Sequence, residues 1–276
     1  MSLLPTLARF TKVEHTIFSL PLIFAGAYLG AGRKIPALAT LAWLVLAVTG
    51  GRILGMAMNR ILDRELDARN VRTRHREIPA GALSLRQGWL VAAAGLVVYL
   101  AACAMLGWRI LALSPVPAIL LISYSLLKRF TCLCHYGIGL VLGLAPLAAH
   151  VAVRGDLLVT REIVLLAGFV CCWMSGYDII YALQDEASDR ATGVHSLPSR
   201  LGGHAAQWVA GVTHLIGVLL LVALAAWCTT APWVWVPVGV SALAMGISHL
   251  PWLPLPARFF PISAMAGIAG SLVVYA

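Results

Sequence analysis

Charged side chains are scarce in this sequence, at 11% of 276 residues, where a soluble domain carries about a quarter. That deficit excludes an ordinary water-facing surface for most of the chain. Period-two alternation of apolar and polar residues is missing as well. Runs such as Leu41-Ala42-Trp43-Leu44-Val45-Leu46-Ala47-Val48 are apolar on every face, which excludes the spans of a β-barrel. Acids are fewer still, 11 Asp+Glu against 20 Lys+Arg, for a net charge of +9. The cations sit in short loops between apolar runs, with no aromatic-interleaved basic patch, so nucleic acid is not an expected partner. The 6 cysteines lack a second Cys or His pair at zinc spacing and read as small hydrophobes and loop thiols. No repeat, low-complexity tract or linker divides the chain, so residues 1–276 read as a single transmembrane domain.

What is present is apolar length. Hydrophobic residues make up 61% of the chain and the mean hydropathy is +0.89. A helix needs about 20 apolar residues to cross the hydrocarbon of a bilayer. Candidate spans fall near residues 13–31, 38–60, 87–107, 110–127, 137–153, 161–182, 205–229, 231–249 and 258–275. With barrels excluded, helices are the remaining way to cross. The expected fold is therefore all-α and polytopic, a bundle of nine transmembrane helices in the lipid bilayer. Arg9, Lys12, Glu14 and His15 precede the first run, which reads as a span rather than a cleaved leader.

Orientation follows from the cations. With the N-terminus placed in the cytoplasm, Arg9, Lys12, Arg60, Arg64, Arg69, Arg72, Arg74, Arg76, Arg86, Lys128, Arg129, Arg190, Arg200 and Arg258 fall on that side. Arg33, Lys34, Arg109, Arg154 and Arg161 fall on the other. Fourteen against five is the inside-positive bias of a multi-pass inner-membrane protein.

The acids are clustered. Asp63, Glu65, Asp67 and Glu77 follow the second span, and Asp178, Asp185, Glu186 and Asp189 belong to the sixth and its exit. Asn59, Asp63 and Asp67 are spaced i, i+4, i+8, one stripe on a helix; Asp185 and Asp189 repeat the i, i+4 spacing. Carboxylate pairs facing one another would repel without a cation. Mg²⁺ takes hard oxygen ligands, and one or two carboxylates plus substrate phosphates are its usual partners. Cations to meet such a phosphate are present in Lys128 and Arg129, with Tyr124 at i−4 from the lysine, and in the basic run containing Arg72. Arg52 lies two turns before Asn59 on the same face and needs an anion, from the second acid window or from substrate. Lys12 and His15 share the cytoplasmic end of the first span and could orient an acceptor carboxylate. Isolated His150, His214 and His249 read as structural.

These residues resemble the UbiA superfamily of intramembrane aromatic prenyltransferases. Asn59-Asp63-Asp67 is similar to its N-x-x-x-D-x-x-x-D signature, Asp185-Asp189-Gly193 to its D-x-x-x-D-x-x-x-G signature, and Tyr124-Lys128 to its Y-x-x-x-K element. Arg52 matches the arginine seven residues before the first motif. The run Lys12-Val13-Glu14-His15-Thr16-Ile17-Phe18-Ser19-Leu20-Pro21, with Tyr177 to Asp185 and His195-Ser196-Leu197-Pro198, is similar to the 4-hydroxybenzoate polyprenyltransferase-like branch associated with futalosine-route menaquinone synthesis. Arg60 departs from the Asn-Asp start usual in ubiquinone-type members, which leaves the acceptor open.

The resemblance implies nine helices around a central cavity with a cytoplasmic cap made by the loops after spans two and six. It implies Mg²⁺-dependent transfer of a polyprenyl group from polyprenyl diphosphate to an aromatic acid, a hydroxybenzoate or dihydroxynaphthoate. Asn59, Asp63, Asp67, Asp185 and Asp189 are the expected metal ligands. Lys128, Arg129, Tyr124 and Arg72 are expected at the diphosphate, and Arg52, Lys12, His15 and Asp178 at the acceptor. A secondary transporter also buries acids and arginines near helix breaks, and other family members act on haem, chlorophyll or lipid acceptors; these are the alternatives.

Overall fold

The structure of the protein, a computed structural model, describes the backbone of residues 3–12 and 16–276 and the side chains of residues 5–12 and 19–276. Every regular element among the described residues is helical. In chain order these are α1 (Leu3–Thr11), α2 (Thr16–Gly30), α3 (Leu38–Leu62), α4 (Arg64–Arg69), α5 (Leu85–Leu106), α6 (Trp108–Leu113) and α7 (Pro115–Ser123), the last continuing as a 3₁₀ turn over Tyr124–Arg129. Then follow α8 (Cys134–Arg154), α9 (Arg161–Ala182), α10 (Glu186–Thr192), α11 (Leu197–Leu201), α12 (Gly203–Cys228), α13 (Trp235–Ile247) and α14 (Ser263–Leu272).

Seven stretches are long and apolar enough to cross a membrane: Leu38–Leu62, Leu85–Leu106, Trp108–Arg129, Cys134–Arg154, Arg161–Thr192, Gly203–Cys228 and Leu255–Tyr275. Two shorter apolar helices, Ser19–Gly30 and Pro232–Ile247, stand where the first and eighth spans were expected. The 25 residues of α3, at 1.5 Å each, give roughly 37 Å against a hydrocarbon thickness of about 30 Å. Trp89, Val97, Ile119, Leu219 and Val236 are exposed on the outer faces, as suits a lipid solvent and not water. The chain is a multi-pass, all-α membrane protein.

Three spans are not single α-helices, and proline is the reason in two. The fourth breaks between α6 and α7 at Ser114-Pro115, because proline has no N–H for the ladder and crowds the preceding turn. The last, after a helical turn at Leu255–Ala257, carries a π turn over Arg258–Ile262 that contains Pro261. The sixth span runs past its expected end at 182 into a 3₁₀ turn, Leu183–Asp185, and α10.

The helices gather in two groups. One apolar cluster joins Phe10 of α1 to Leu54 and Ile61 of α3, Ala92 and Tyr99 of α5 and Ala118 of α7. The larger joins Leu22 of α2, Phe169, Trp173 and Tyr177 of α9, Leu221 of α12, Val238 of α13 and Ala266 of α14. Within a membrane, helices hold together largely by close backbone approach. At the α3–α5 crossing, a Cβ on Gly95 would lie 2.7 Å from the Leu54 backbone nitrogen, and one on Gly50 2.6 Å from that of Tyr99. Only hydrogen fits at either position.

Gly95→Val therefore forces α3 and α5 apart and should lower stability by about 1–3 kcal/mol, the usual cost of overpacking. Thermal unfolding of the detergent-solubilised protein measures it. Gly239→Ala on α13, where nothing lies within 4 Å of the new Cβ, serves as the control and should leave the melting temperature unchanged.

Candidate active site

Both acid motifs sit where a long helix stops and a short one starts. α3 ends at Leu62, and Asp63 follows with φ −92° and ψ 0°; α4 then begins at Arg64. α9 ends at Ala182, and Asp185 has φ −104° and ψ 2° before α10 begins. Both aspartates occupy the sparsely populated bridge region where many active-site residues are found. The Asp67 amide still donates to the Asp63 carbonyl at 2.8 Å, so the i, i+4 pair stays together across the break. The second motif closes at Gly193, whose φ of 71° is the left-handed helix stop that glycine adopts without strain.

The breaks bring acids and bases together. Lys128 Nζ donates to Asp63 Oδ2 at 2.6 Å, and the Asn59 amide donates to the same oxygen at 3.0 Å. Arg76 Nη1 spans both oxygens of Asp67 at 2.8 and 2.9 Å. Arg72 grips Asp185 with Nε at 2.9 Å and Nη2 at 2.5 Å, and the Asn70 amide donates to Asp185 at 2.8 Å. Arg72 also donates to the Tyr181 hydroxyl at 2.9 Å. The segment after α3 is thus fastened to the end of the sixth span. Asp63 is the most enclosed of these acids, its side chain only 1% exposed. Burial pushes its carboxyl above the usual range, against the pull of Lys128, and its Oδ1 is buried with no hydrogen-bond partner.

These groups line one end of a cavity of about 560 Å³ between the two helix groups. Asn59, Asp63, Asp67, Asp185, Asp189, Lys128, Tyr124 and Arg72 all border it. Arg52 borders it too, donating to the Ser19 hydroxyl at 3.1 Å, as do Lys12 and Asp178. Ile138, Leu142, Trp173 and Met174 supply an apolar wall. Arg129 stands outside; its guanidinium is spent on the Leu62 carbonyl at 2.5 Å. His15 lies outside the described residues. His214 and His249 pair with each other at 2.9 Å, and His150 Nε2 lies 3.3 Å from the Leu158 carbonyl oxygen; none of the three borders the cavity.

Four site residues were not singled out from sequence: Asn70, Arg76, Tyr181 and His135. Asn70 and Arg76 were visible as members of a basic run, and Tyr181 as part of the lead into the second motif. His135, whose Nδ1 is 2.7 Å from Asp178, gave no signal, because its partner is 43 residues away.

Among the described residues no three His, Cys, Asp or Glu side chains converge as a ready metal cage. What is present is paired hard-oxygen donors, including the orphaned buried Oδ1 of Asp63. That set fits Mg²⁺, which is ordinarily held by one or two carboxylates with the rest of its shell from water and phosphate.

A model of the UbiA prenyltransferase family matches residues 19–257. The 4-hydroxybenzoate octaprenyltransferase of Shewanella denitrificans is 30% identical over 213 residues, 76% of this chain and 72% of that one. Longer mitochondrial 4-hydroxybenzoate polyprenyltransferases are matched over 38% to 45% of their own length. Among solved structures, the apo form of a UbiA homologue from Aeropyrum pernix K1 aligns with a TM-score of 0.82 at 32% identity, covering 95% of this chain and 96% of that one. A UbiA homologue from Archaeoglobus fulgidus bound to GPP and Mg²⁺ shares the fold with a TM-score of 0.68 at 17% identity, covering 98% and 100%.

Removing one partner of a buried ion pair strands the other. Lys128→Met should therefore cost roughly 1–3 kcal/mol, reduced from the fully buried case because the Lys128 side chain is 28% exposed. Adding Asp63→Asn in the same chain should recover most of it. A double-mutant thermal-unfolding cycle reads the coupling, and additive losses would show that the pair is not formed.

Proposed function

The chain belongs to the UbiA prenyltransferase family, and from that premise we propose that it transfers a polyprenyl group from polyprenyl diphosphate to an aromatic acid, with Mg²⁺ as cofactor. The observation that carries this reading is the cavity itself. Its lining combines carboxylates already matched to cations with an apolar wall. A substrate that is anionic at its head and hydrocarbon along its tail suits such a space. The names of the relatives support it: the Shewanella protein is a 4-hydroxybenzoate octaprenyltransferase, and the Archaeoglobus homologue holds GPP and Mg²⁺. The family match gives the transporter alternative no support.

The proposed architecture completes the nine spans with Ser19–Gly30 and Pro232–Ile247 beside the seven longer ones, in a single domain over 1–276. The N-terminus and both acid motifs face the cytoplasm across the inner membrane, and the segments around α4, α10 and α11 cap the cavity. The cation bias supports this orientation.

Asp63, Asp67, Asp185 and Asp189, with Asn59, would hold Mg²⁺. When bound, Mg²⁺ neutralises charge on the diphosphate. Lys128 and Arg72 would turn from their carboxylates to the phosphate oxygens, with Tyr124 beside them. The C1–O bond of the prenyl diphosphate breaks and its electron pair leaves with the diphosphate. The apolar wall of Ile138, Leu142 and Trp173 keeps water from the allylic cation until the ring attacks it. Arg52 and Lys12, with His15, would meet the acceptor carboxylate. Arg129, expected at the diphosphate, would have to leave Leu62 to reach it.

For the acceptor, the resemblance of the first and sixth spans to the menaquinone-associated branch favours 1,4-dihydroxy-6-naphthoate over 4-hydroxybenzoate. The names of the relatives favour the benzoate. A tenfold preference needs only about 1.4 kcal/mol of differential transition-state binding, within reach of one more ring in an apolar slot.

Excess EDTA should abolish turnover and added Mg²⁺ restore it. Asp63→Ala should lower kcat by about 10²-fold or more, the scale of one lost electrostatic stabiliser. Full activity of either the chelated enzyme or the variant would move the chemistry elsewhere. Competing the two acceptors at equal concentration, with products read by mass spectrometry, should give mainly prenylated naphthoate. Dominance of the benzoate product would reassign the acceptor and leave the transferase reading standing.

A further inference from the structure

Attack by the ring leaves one proton too many on the attacked carbon, and some group must take it. We propose that Asp178 is the base that receives it and that His135 is the residue that positions Asp178. The proposal rests on the prenyl-transfer reading above.

Asp178 borders the cavity with its carboxyl 31% exposed. It lies on α9 seven residues before Asp185, which stands at the end of the 3₁₀ turn beyond that helix, an offset of roughly 10 Å at about 1.5 Å per residue. That offset separates it from the phosphate end by about the space a reacting carbon and an aromatic ring occupy. Trp173 and Met174, one turn further in, belong to the apolar wall of the same cavity.

The geometry around His135 fixes its proton. α11 is a short helix capped by Ser196, and the first turn of any helix leaves backbone N–H groups without partners. Here each is accounted for. The Ser199 amide donates to the Ser196 hydroxyl at 3.3 Å, the Arg200 amide to the Ser196 carbonyl at 3.1 Å, and Pro198 has no N–H. The Leu197 amide donates to His135 Nε2 at 3.2 Å. A backbone amide can only donate, so Nε2 is the bare nitrogen and the ring proton sits on Nδ1. That proton faces Asp178 Oδ2 at 2.7 Å. His135 is 3% exposed and cannot turn to another partner without orphaning Leu197. It therefore holds one oxygen of Asp178 through the Nδ1 proton and directs the carboxylate at the cavity.

The step balances. The ring carbon bonds to C1 of the prenyl group, and the diphosphate has left with the C1–O pair. The ring C–H pair returns to the aromatic system, and the proton passes to the Asp178 carboxylate. The departing diphosphate is the competing acceptor of that proton.

Two substitutions at His135 separate its two contacts. His135→Asn keeps an amide N–H near the position of Nδ1 and loses the acceptor for Leu197. His135→Gln carries an acceptor near Nε2 and loses the donor to Asp178. The assay uses geranyl diphosphate, Mg²⁺ and whichever of 4-hydroxybenzoate and 1,4-dihydroxy-6-naphthoate the wild type takes. It counts prenylated aromatic against geraniol formed by water, with the acceptor saturating and its attacked ring position deuterated. Asp178→Asn should cut aromatic product by about 10²-fold, the scale of a lost general base, while diphosphate release falls less than about tenfold. An isotope effect should appear that weaker acceptor binding alone does not produce. His135→Gln should shift the product ratio the same way at near wild-type melting temperature; His135→Asn should keep the ratio while losing thermal stability. An unchanged ratio and no isotope effect in Asp178→Asn would leave the diphosphate as the base and overturn the proposal. A ratio lost in His135→Asn but kept in His135→Gln would reduce His135 to a helix cap and overturn its positioning role. If the wild type prenylates neither acceptor, the underlying reading and this one fall together.

Discussion

A carboxylate buried at the end of a membrane helix stays charged only beside a cation, and the organisation of the polar end follows from that constraint. Asp63, Asp67 and Asp185 take Lys128, Arg76 and Arg72 in turn. The lysine comes from the end of the fourth span, and the two arginines from the segment after α3. Each pair therefore ties pieces of chain that apolar packing alone would leave apart. Within these three pairs the charges cancel. In the proposed reaction a diphosphate and a divalent cation would arrive with opposite charges, and the pairs would exchange partners with them.

The proposed exchange suits lysine and arginine better than fixed dipoles. Lys128 rests on a flexible stem and is 28% exposed on its cavity side, and Arg72 is 32% exposed. Both can reach a phosphate without leaving the site. Arg60, which also borders the cavity, is by contrast buried, with Glu77 at 3.9 Å.

How much of this was legible in the sequence depended on the range of the interaction. Apolar runs of span length and i, i+4 acids are local patterns, so the membrane helices, Asn59-Asp63-Asp67 and Asp185-Asp189 could be read directly. The stripe is interrupted only at Asp63, between α3 and α4, and the Asp63 and Asp67 amides keep their i−4 hydrogen bonds; nothing in Leu62-Asp63-Arg64 marks that interruption. Arg129 looked equivalent to Lys128, but adjacent residues on a 3₁₀ turn point to different sides, and Arg129 meets a backbone carbonyl instead. The pairing of His135 with Asp178 and Leu197 spans three elements, and no spacing within one of them encodes it. Pro115 and Pro261 were visible throughout, and the helix irregularities they cause follow from their missing N–H groups.

The matched breaks at Asp63 and Asp185 have a mechanical consequence. Each divides a long rod into a shaft anchored among its neighbours and a short lever beyond it. The two levers are not independent, since Asn70 and Arg72 beyond one shaft both hold Asp185 at the pivot of the other. Lifting either lever would break these bonds to the other, while close contacts such as Gly95 on Leu54 hold the α3 shaft against α5. A change at either pivot would therefore be felt at the other.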